Sequence, residues 1–219
     1  MQQSPKFKLS KVAQALSQTS LKTIGKKIAT VSDIHLHHDR VPAQVIIASL
    51  MREFPDNEET AELDAIIIAG DLFDKIMYVG SDNPDYALIH AWMVMFLEMC
   101  SRLGIAVRIL EGTPSHDRGQ SKMMENINND FELAGMKKAD LRYFDTVTVD
   151  WDDTLGMHIL YVPDEVHPSP DKVWEYVSQA LSVKGLTQVD VAVMHGMFDY
   201  QAPLNIKLPT HDSARYSQI

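Results

Sequence analysis

The stretch Asp64 to Asp74, Asp-Ala-Ile-Ile-Ile-Ala-Gly-Asp-Leu-Phe-Asp, constrains this chain more than any other. Its apolar residues Ala65, Ile66, Ile67, Ile68 and Ala69 form a short β-branched run of the kind that fills a strand buried on both faces. Gly70 then frees the backbone, Asp71 sets a carboxylate at the strand end, and Asp74 adds a second one. In an open α/β sheet, ligands sit outside the carboxyl ends of the strands, so Asp71 stands where chemistry is expected.

Other segments repeat this plan. Ile28 to Ser32 reads as a first buried strand and runs into Asp33-Ile34-His35. Val41 to Phe54 has the 3.6-residue apolar spacing of a helix, and an acidic loop from Pro55 to Glu62 follows it. A second helix is punctuated by Asn83 as cap, Pro84 in the first turn and Gly104 just past the end. Its body, Tyr86 to Leu103, is apolar on most faces and reads as a core helix. Ile105 to Leu110 is a third strand, opening into the loop Gly112-Thr-Pro-Ser-His-Asp117. A helix runs to Ala134 and ends at Gly135. Leu141 to Trp151 and Met157 to Val162 alternate as two antiparallel strands would. Ser169-Pro170 opens another helix that stops at Gly185. Val189 to Met194 is a further buried strand with His195 directly behind it, and Gly196 to Ile219 has no strong periodicity.

The 219 residues suffice for one sizeable domain, and neither an internal repeat nor a linker divides them. Residues 1–27 read as a basic N-terminal extension and 28–219 as the domain. The extension holds six lysines (Lys6, Lys8, Lys11, Lys22, Lys26, Lys27) and no acid, although the whole chain carries a net charge of −10. That balance argues against broad electrostatic binding to nucleic acid. The extension itself suits either a nucleic-acid contact or, by the base rates of charge runs, a helix covering the domain edge. One cysteine, Cys100, excludes an internal disulfide framework and suits a reducing compartment. No apolar run approaches the length of a membrane span, and the N-terminus has no signal-peptide core; the chain reads as cytoplasmic.

Four apolar strands thus end in Asp33 and His35, in Asp71, in the loop bearing His116 and Asp117, and in His195. Singly, an Asp after a strand is usually a helix cap and a His usually a satisfied surface or core residue. Four together at one sheet edge form a ligand set, and Asp with His but no Cys suits divalent manganese, iron, zinc or similar ions.

The order Asp33-x-His35, Gly70-Asp71-x-x-Asp74, His116-Asp117, His195-Gly196 resembles the calcineurin-like metallophosphoesterases over roughly residues 26–200. Asp71-Leu-Phe-Asp74, with His-Leu after Asp33-Ile34, is closest to the DNA-repair nuclease branch, the catalytic partner of an SMC-like ATPase. The resemblance implies a four-layer α/β/β/α sandwich of mixed sheets and a two-metal site, manganese first, with iron, zinc, nickel or magnesium as alternatives. It implies Asp33 and His35 on one metal, Asp71 bridging both, and His195 on the other. His116 would protonate the leaving oxygen, oriented by Asp117. Asp74 would fix the loop by hydrogen bonding rather than bind metal. His37 and His38 read as exposed loop residues, and His158, His167 and Asp164 as structural.

Two departures bear on activity. The family loop reads Gly-Asn-His, its Asn oxygen binding the second metal; here Ser115 falls at that position, a poorer ligand. The family's closing Gly-His-x-His motif has no counterpart after His195, where His211 in Pro-Thr-His-Asp is the one remaining histidine. The domain therefore reads as C-terminally incomplete, and the second metal as the weaker-held. The implied activity is a phosphodiesterase or nuclease acting on a phosphoester such as DNA. The alternatives are a phosphomonoesterase or small-nucleotide phosphodiesterase, and a catalytically weak scaffold of the same fold.

Overall fold

β1 (Ile28–Val31), β2 (Ala65–Ala69), β3 (Ala106–Leu110) and β4 (Leu141–Phe144) lie in that order in one fully parallel sheet. β5 (Thr148–Asp152), β6 (Met157–Val162) and β7 (Val191–Met194) form a second, mixed sheet, antiparallel between β5 and β6 and parallel between β6 and β7. The molecule is thus α/β with parallel and antiparallel pairing. The computed structural model describes residues 25–78, 83–164, 169–202 and 209–219. Residues 1–24, which hold most of the basic extension, and His167 lie outside the described residues. Among those described, no helix is long and apolar enough to cross a membrane.

The helices are α1 (Ala43–Glu53), α2 (Pro84–Leu103), α3 (Met123–Leu133), α4 (Pro170–Val183) and the short α5 (Ser213–Tyr216). α2 begins and ends as its sequence expects. The Asn83 side chain accepts from the N–H groups of Asp85 and Tyr86, Pro84 occupies the first turn, and Gly104 closes the helix at φ 75°. Its residues Ile89, Trp92, Met93, Phe96, Leu97 and Cys100 are buried, as a core helix requires.

β2 is buried at all five positions, and alternation divides it between two apolar clusters. Ile66 and Ile68 pack with α1, α2 and α3, while Ala65, Ile67 and Ala69 pack with Ile159, Tyr161 and Val193 of the second sheet. A third cluster joins Val149, Leu160 and Val162 to Val173, Val177 and Leu181 of α4.

The expected single strand from Leu141 to Trp151 is two strands in different sheets. The apolar-polar alternation slips at Tyr143-Phe144 and Asp145-Thr146, and there the backbone bends, sending β4 and β5 to separate partners.

Arg108, in the middle of β3, is fully buried on the face toward the second sheet. Its Nε donates to Asp152 at 2.5 Å, Nη1 to the Asp140 carbonyl at 2.7 Å, and Nη2 to the Asp140 carboxylate at 2.9 Å. Asp152 in turn accepts from the N–H groups of Thr154 and Leu155, each at 3.0 Å, which shapes the β5–β6 turn. Burial pushes the Asp152 carboxyl up, but the Arg108 bond, the Leu155 N–H and the charges of Arg108 and Arg142 together outweigh it and leave the group below the usual carboxylate range. The sign follows. A depressed carboxyl contributes stability that is complete above its unfolded pKa of about 4. That stability is lost as pH falls through the lower folded value. Asp152→Asn should cost about 1.5–3 kcal/mol at neutral pH, the worth of a hydrogen bond to a charged group. The figure stays below that for a wholly stranded buried charge because Asp140 still holds Arg108. Urea unfolding at pH 7 and pH 3 checks it: the gap between variant and wild type should shrink at the lower pH.

Candidate metal centre

The pairing of β1 with β2 continues past both strands. Asp33 N–H donates to the Gly70 carbonyl at 3.2 Å, His35 N–H to that of Asp71 at 3.0 Å, and Leu36 N–H to that of Leu72 at 2.8 Å. This zipper fixes the two ligand-bearing loops against each other. Asp33 (φ 54°), His35 (φ 54°) and Asp71 (φ 51°) all adopt the left-handed region, where a β-carbon is disfavoured. Gly70 and Gly112 allow the close approach of neighbours. A β-carbon on Gly70 would overlap the His195 ring, and one on Gly112 the backbone nitrogen of Asp71.

β7 belongs to the second sheet, so the four loops do not share one sheet edge. The site lies on the seam where the carboxyl ends of β1, β2 and β3 meet that of β7. His195 spans the seam: its backbone N–H donates to Val162 at 3.0 Å, and its Nδ1 lies 2.8 Å from the Ala69 carbonyl. The carbonyl can only accept, so Nδ1 carries the hydrogen and Nε2 faces the site.

Asp33, His35 and Asp71 each offer a ligand atom within 4.8 Å of the others, and so do His35, Asp74 and His116. His35 Nδ1 stands 3.2 Å from Asp74 Oδ1 and 3.2 Å from His116 Nδ1. His195 Nε2 stands 3.2 Å from Asp71 Oδ1, and His116 Nδ1 4.0 Å from Asp71 Oδ2. An octahedral cation with bonds near 2.1 Å holds neighbouring donors about 3 Å apart. The three 3.2 Å separations are close to that size, and the Asp/His donors suit a divalent transition metal.

The electrostatics couple Asp71 to His195. Burial raises the Asp71 carboxyl, but hydrogen bonds from His195 and from the Thr113 N–H outweigh it, setting the group at about 2. Burial lowers His195, while Asp71 and the Ala69 carbonyl raise it, to about 9. Asp71 is therefore a permanent anion, and a cation arriving at His195 must displace a proton.

No protein-family model matches this chain, and no curated protein matches it. The geometry alone therefore bears on the expected roles. Asp74, expected to fix its loop by hydrogen bonding, instead has Oδ1 3.2 Å from His35 Nδ1, inside a group of candidate ligand atoms. Asp117 has a different job from the expected one. It is fully buried, with Oδ1 accepting from Phe73 N–H and Oδ2 from Gly112 N–H, both at 2.8 Å. It staples the loop after β2 to the loop after β3 rather than orienting the His116 ring. Ser115 is exposed at the turn. The hydroxyl that meets the site is that of Thr113, because the turn folds back, His116 and Asp117 N–H both donating to the Thr113 carbonyl. His37 and His38 are half-buried, not exposed. His37 Nδ1 lies 2.8 Å from Asp85, and His38 Nδ1 accepts from the N–H groups of Arg40 and Val41. His158 stacks edge-on against Trp151 in the second sheet, a structural contact as expected.

Three residues near the site carried no site role in the sequence reading: Thr113, Asp164, which read as structural, and His211. Thr113 Oγ1 is 3.2 Å from Asp164 Oδ2. His211 is 9% exposed, so it is no surface residue, and its Nε2 faces Gly196 on the side where Asp164 Oδ1 also lies. Asp164 had a signal of the same kind as Asp71: it follows the apolar run of β6 by two residues.

Proposed function

We propose that this chain is a metal-dependent phosphoester hydrolase, acting on phosphodiesters with DNA among the candidates. The observation that carries this reading is the meeting of Asp33, His35, Asp71, His116 and His195 at one seam, with donor separations that fit a cation. The three stacked apolar clusters, with helices outside both sheets, favour the four-layer α/β/β/α sandwich of the metallophosphoesterases that the motifs resemble.

In this reading Asp33 and His35 would hold one ion, His195 the other, and Asp71 would contribute to both. Two divalent cations, manganese first among them, would lower the pKa of a bound water and offset charge on the phosphate. Asp74 keeps His35 in its rotamer. His116 is partly exposed, and its Nδ1 side is taken up toward His35, which leaves Nε2 to give a proton to the departing oxygen. Asp117 keeps the two loops in register, so the proton donor stays over the ligands.

Hydrolysis of bis-p-nitrophenyl phosphate against p-nitrophenyl phosphate, each with Mn²⁺, tests the reading. Faster turnover of the diester supports it, and faster turnover of the monoester turns it toward a phosphomonoesterase. No hydrolysis above the metal-only rate overturns the enzyme and leaves a binding scaffold.

A further inference from the structure

We propose that His35, Asp74 and His116 hold a zinc ion in competition with the catalytic metals, and that zinc there switches hydrolysis off; the inference rests on the hydrolase reading above. Each of the three side chains offers a ligand atom within 4.8 Å of the others, and all three are half-buried, so an ion can reach them. They come from the loops that follow β1, β2 and β3. The backbone presets them. Asp74 N–H donates to the Leu36 carbonyl at 2.9 Å, which places Asp74 beside His35. Gln120 ties the Asp74 loop to the His116 loop, its Nε2 donating to the Lys75 carbonyl at 3.1 Å and its Oε1 accepting from Met77 N–H.

Hydrogen bonding alone serves this group poorly. His35 Nδ1 stands 3.2 Å from Asp74 Oδ1 and 3.2 Å from His116 Nδ1, yet a ring nitrogen has at most one hydrogen to give. A tetrahedral ion with bonds of about 2.1 Å holds its donors about 3.4 Å apart, close to the spacing on both sides of His35. Two imidazoles and one carboxylate, with a fourth position left open, form a donor set that zinc takes.

The other group, Asp33, His35 and Asp71, has two carboxylates and one imidazole. Oxygen-rich donors suit Mn²⁺ or Mg²⁺ and imidazole-rich donors suit Zn²⁺, so the two groups favour different ions. They share His35, and a neutral imidazole presents one lone pair. A cation on one group therefore takes His35 from the other. Zinc also acts on His116 itself. The acid form of that ring carries hydrogen on both nitrogens, and an ion on Nδ1 displaces one of them to solvent. What remains is a neutral imidazole, a far weaker acid than imidazolium.

The test titrates Zn²⁺ into the whole chain by calorimetry, and Mn²⁺ in parallel with the free ion followed by electron paramagnetic resonance. His116→Ala should raise the Kd of the tightest Zn²⁺ by more than about tenfold while leaving Mn²⁺ within about twofold. Asp33→Asn should do the reverse. In the wild type, raising Mn²⁺ should weaken Zn²⁺, and Zn²⁺ should arrest the Mn²⁺-dependent hydrolysis of bis-p-nitrophenyl phosphate. If His116→Ala proves misfolded by circular dichroism, Asp74→Asn replaces it, with the same loss of Zn²⁺ expected. Wild-type Zn²⁺ affinity in the deciding variant overturns the zinc site, and zinc bound without loss of turnover overturns the switch. A wild-type chain that hydrolyses nothing with Mn²⁺ overturns the hydrolase reading instead, while its Zn²⁺ titration still decides the site.

Discussion

His116→Ala is expected to lower turnover of an alkyl phosphodiester by about 10²–10⁴-fold, the usual contribution of a positioned general acid. The metals should stay, because removing His116 leaves Asp33, His35 and Asp71 as a complete group of ligand atoms. A p-nitrophenolate departs without needing a proton, so bis-p-nitrophenyl phosphate should suffer much less. The contrast between the two substrates is the diagnostic. Equal losses on both, with metal content unchanged, would remove the acid role. Loss of one ion would instead make His116 a ligand, a possibility built into its 3.2 Å approach to His35.

Asp71→Asn should weaken both ions together, raising each Kd by more than about 10²-fold, beyond the 10–100-fold typical of residues that only support a ligand. Asp71 is 5% exposed, groups with Asp33 and His35 on one side and meets His195 at 3.2 Å on the other, and is ionised at neutral pH. An amide keeps its shape while removing the anion, so misfolding is not the expected cause of the loss. The variant also faces the Thr113 N–H at 2.7 Å, a bond its carbonyl oxygen can still accept. Metal analysis after dialysis checks the result. Loss of one ion with the other intact would mean that Asp71 serves a single cation.

The parts of the fold that rest on local chemistry were legible in the sequence. β2 could be read because five apolar residues can only be buried on both faces, and α2 because cap, proline and glycine mark both its ends. The break between β4 and β5 was hidden because alternation tells which face a residue takes and not which sheet it joins. For the same reason β7 could be recognised as a strand while its membership of the second sheet could not. In the site, Asp33, His35, Asp71, His116 and His195 could be picked out because each follows an apolar run. Thr113 displaced Ser115 because a tight turn decides which hydroxyl points inward, and counting back from His116 cannot. Asp117 was misassigned since a buried carboxylate beside a histidine looks the same in sequence whether it binds the ring or two backbone N–H groups.

The left-handed backbone at Asp33, His35 and Asp71 sets folding and binding against each other at those three positions. Each residue with a β-carbon there costs roughly 1–2 kcal/mol relative to its preferred conformation, and glycine would largely escape the penalty. Optimised for endurance alone, the chain would give up these side chains. Variants selected only for heat resistance should therefore drift toward glycine at these corners and emerge tougher but without the side chains the proposed cation site uses.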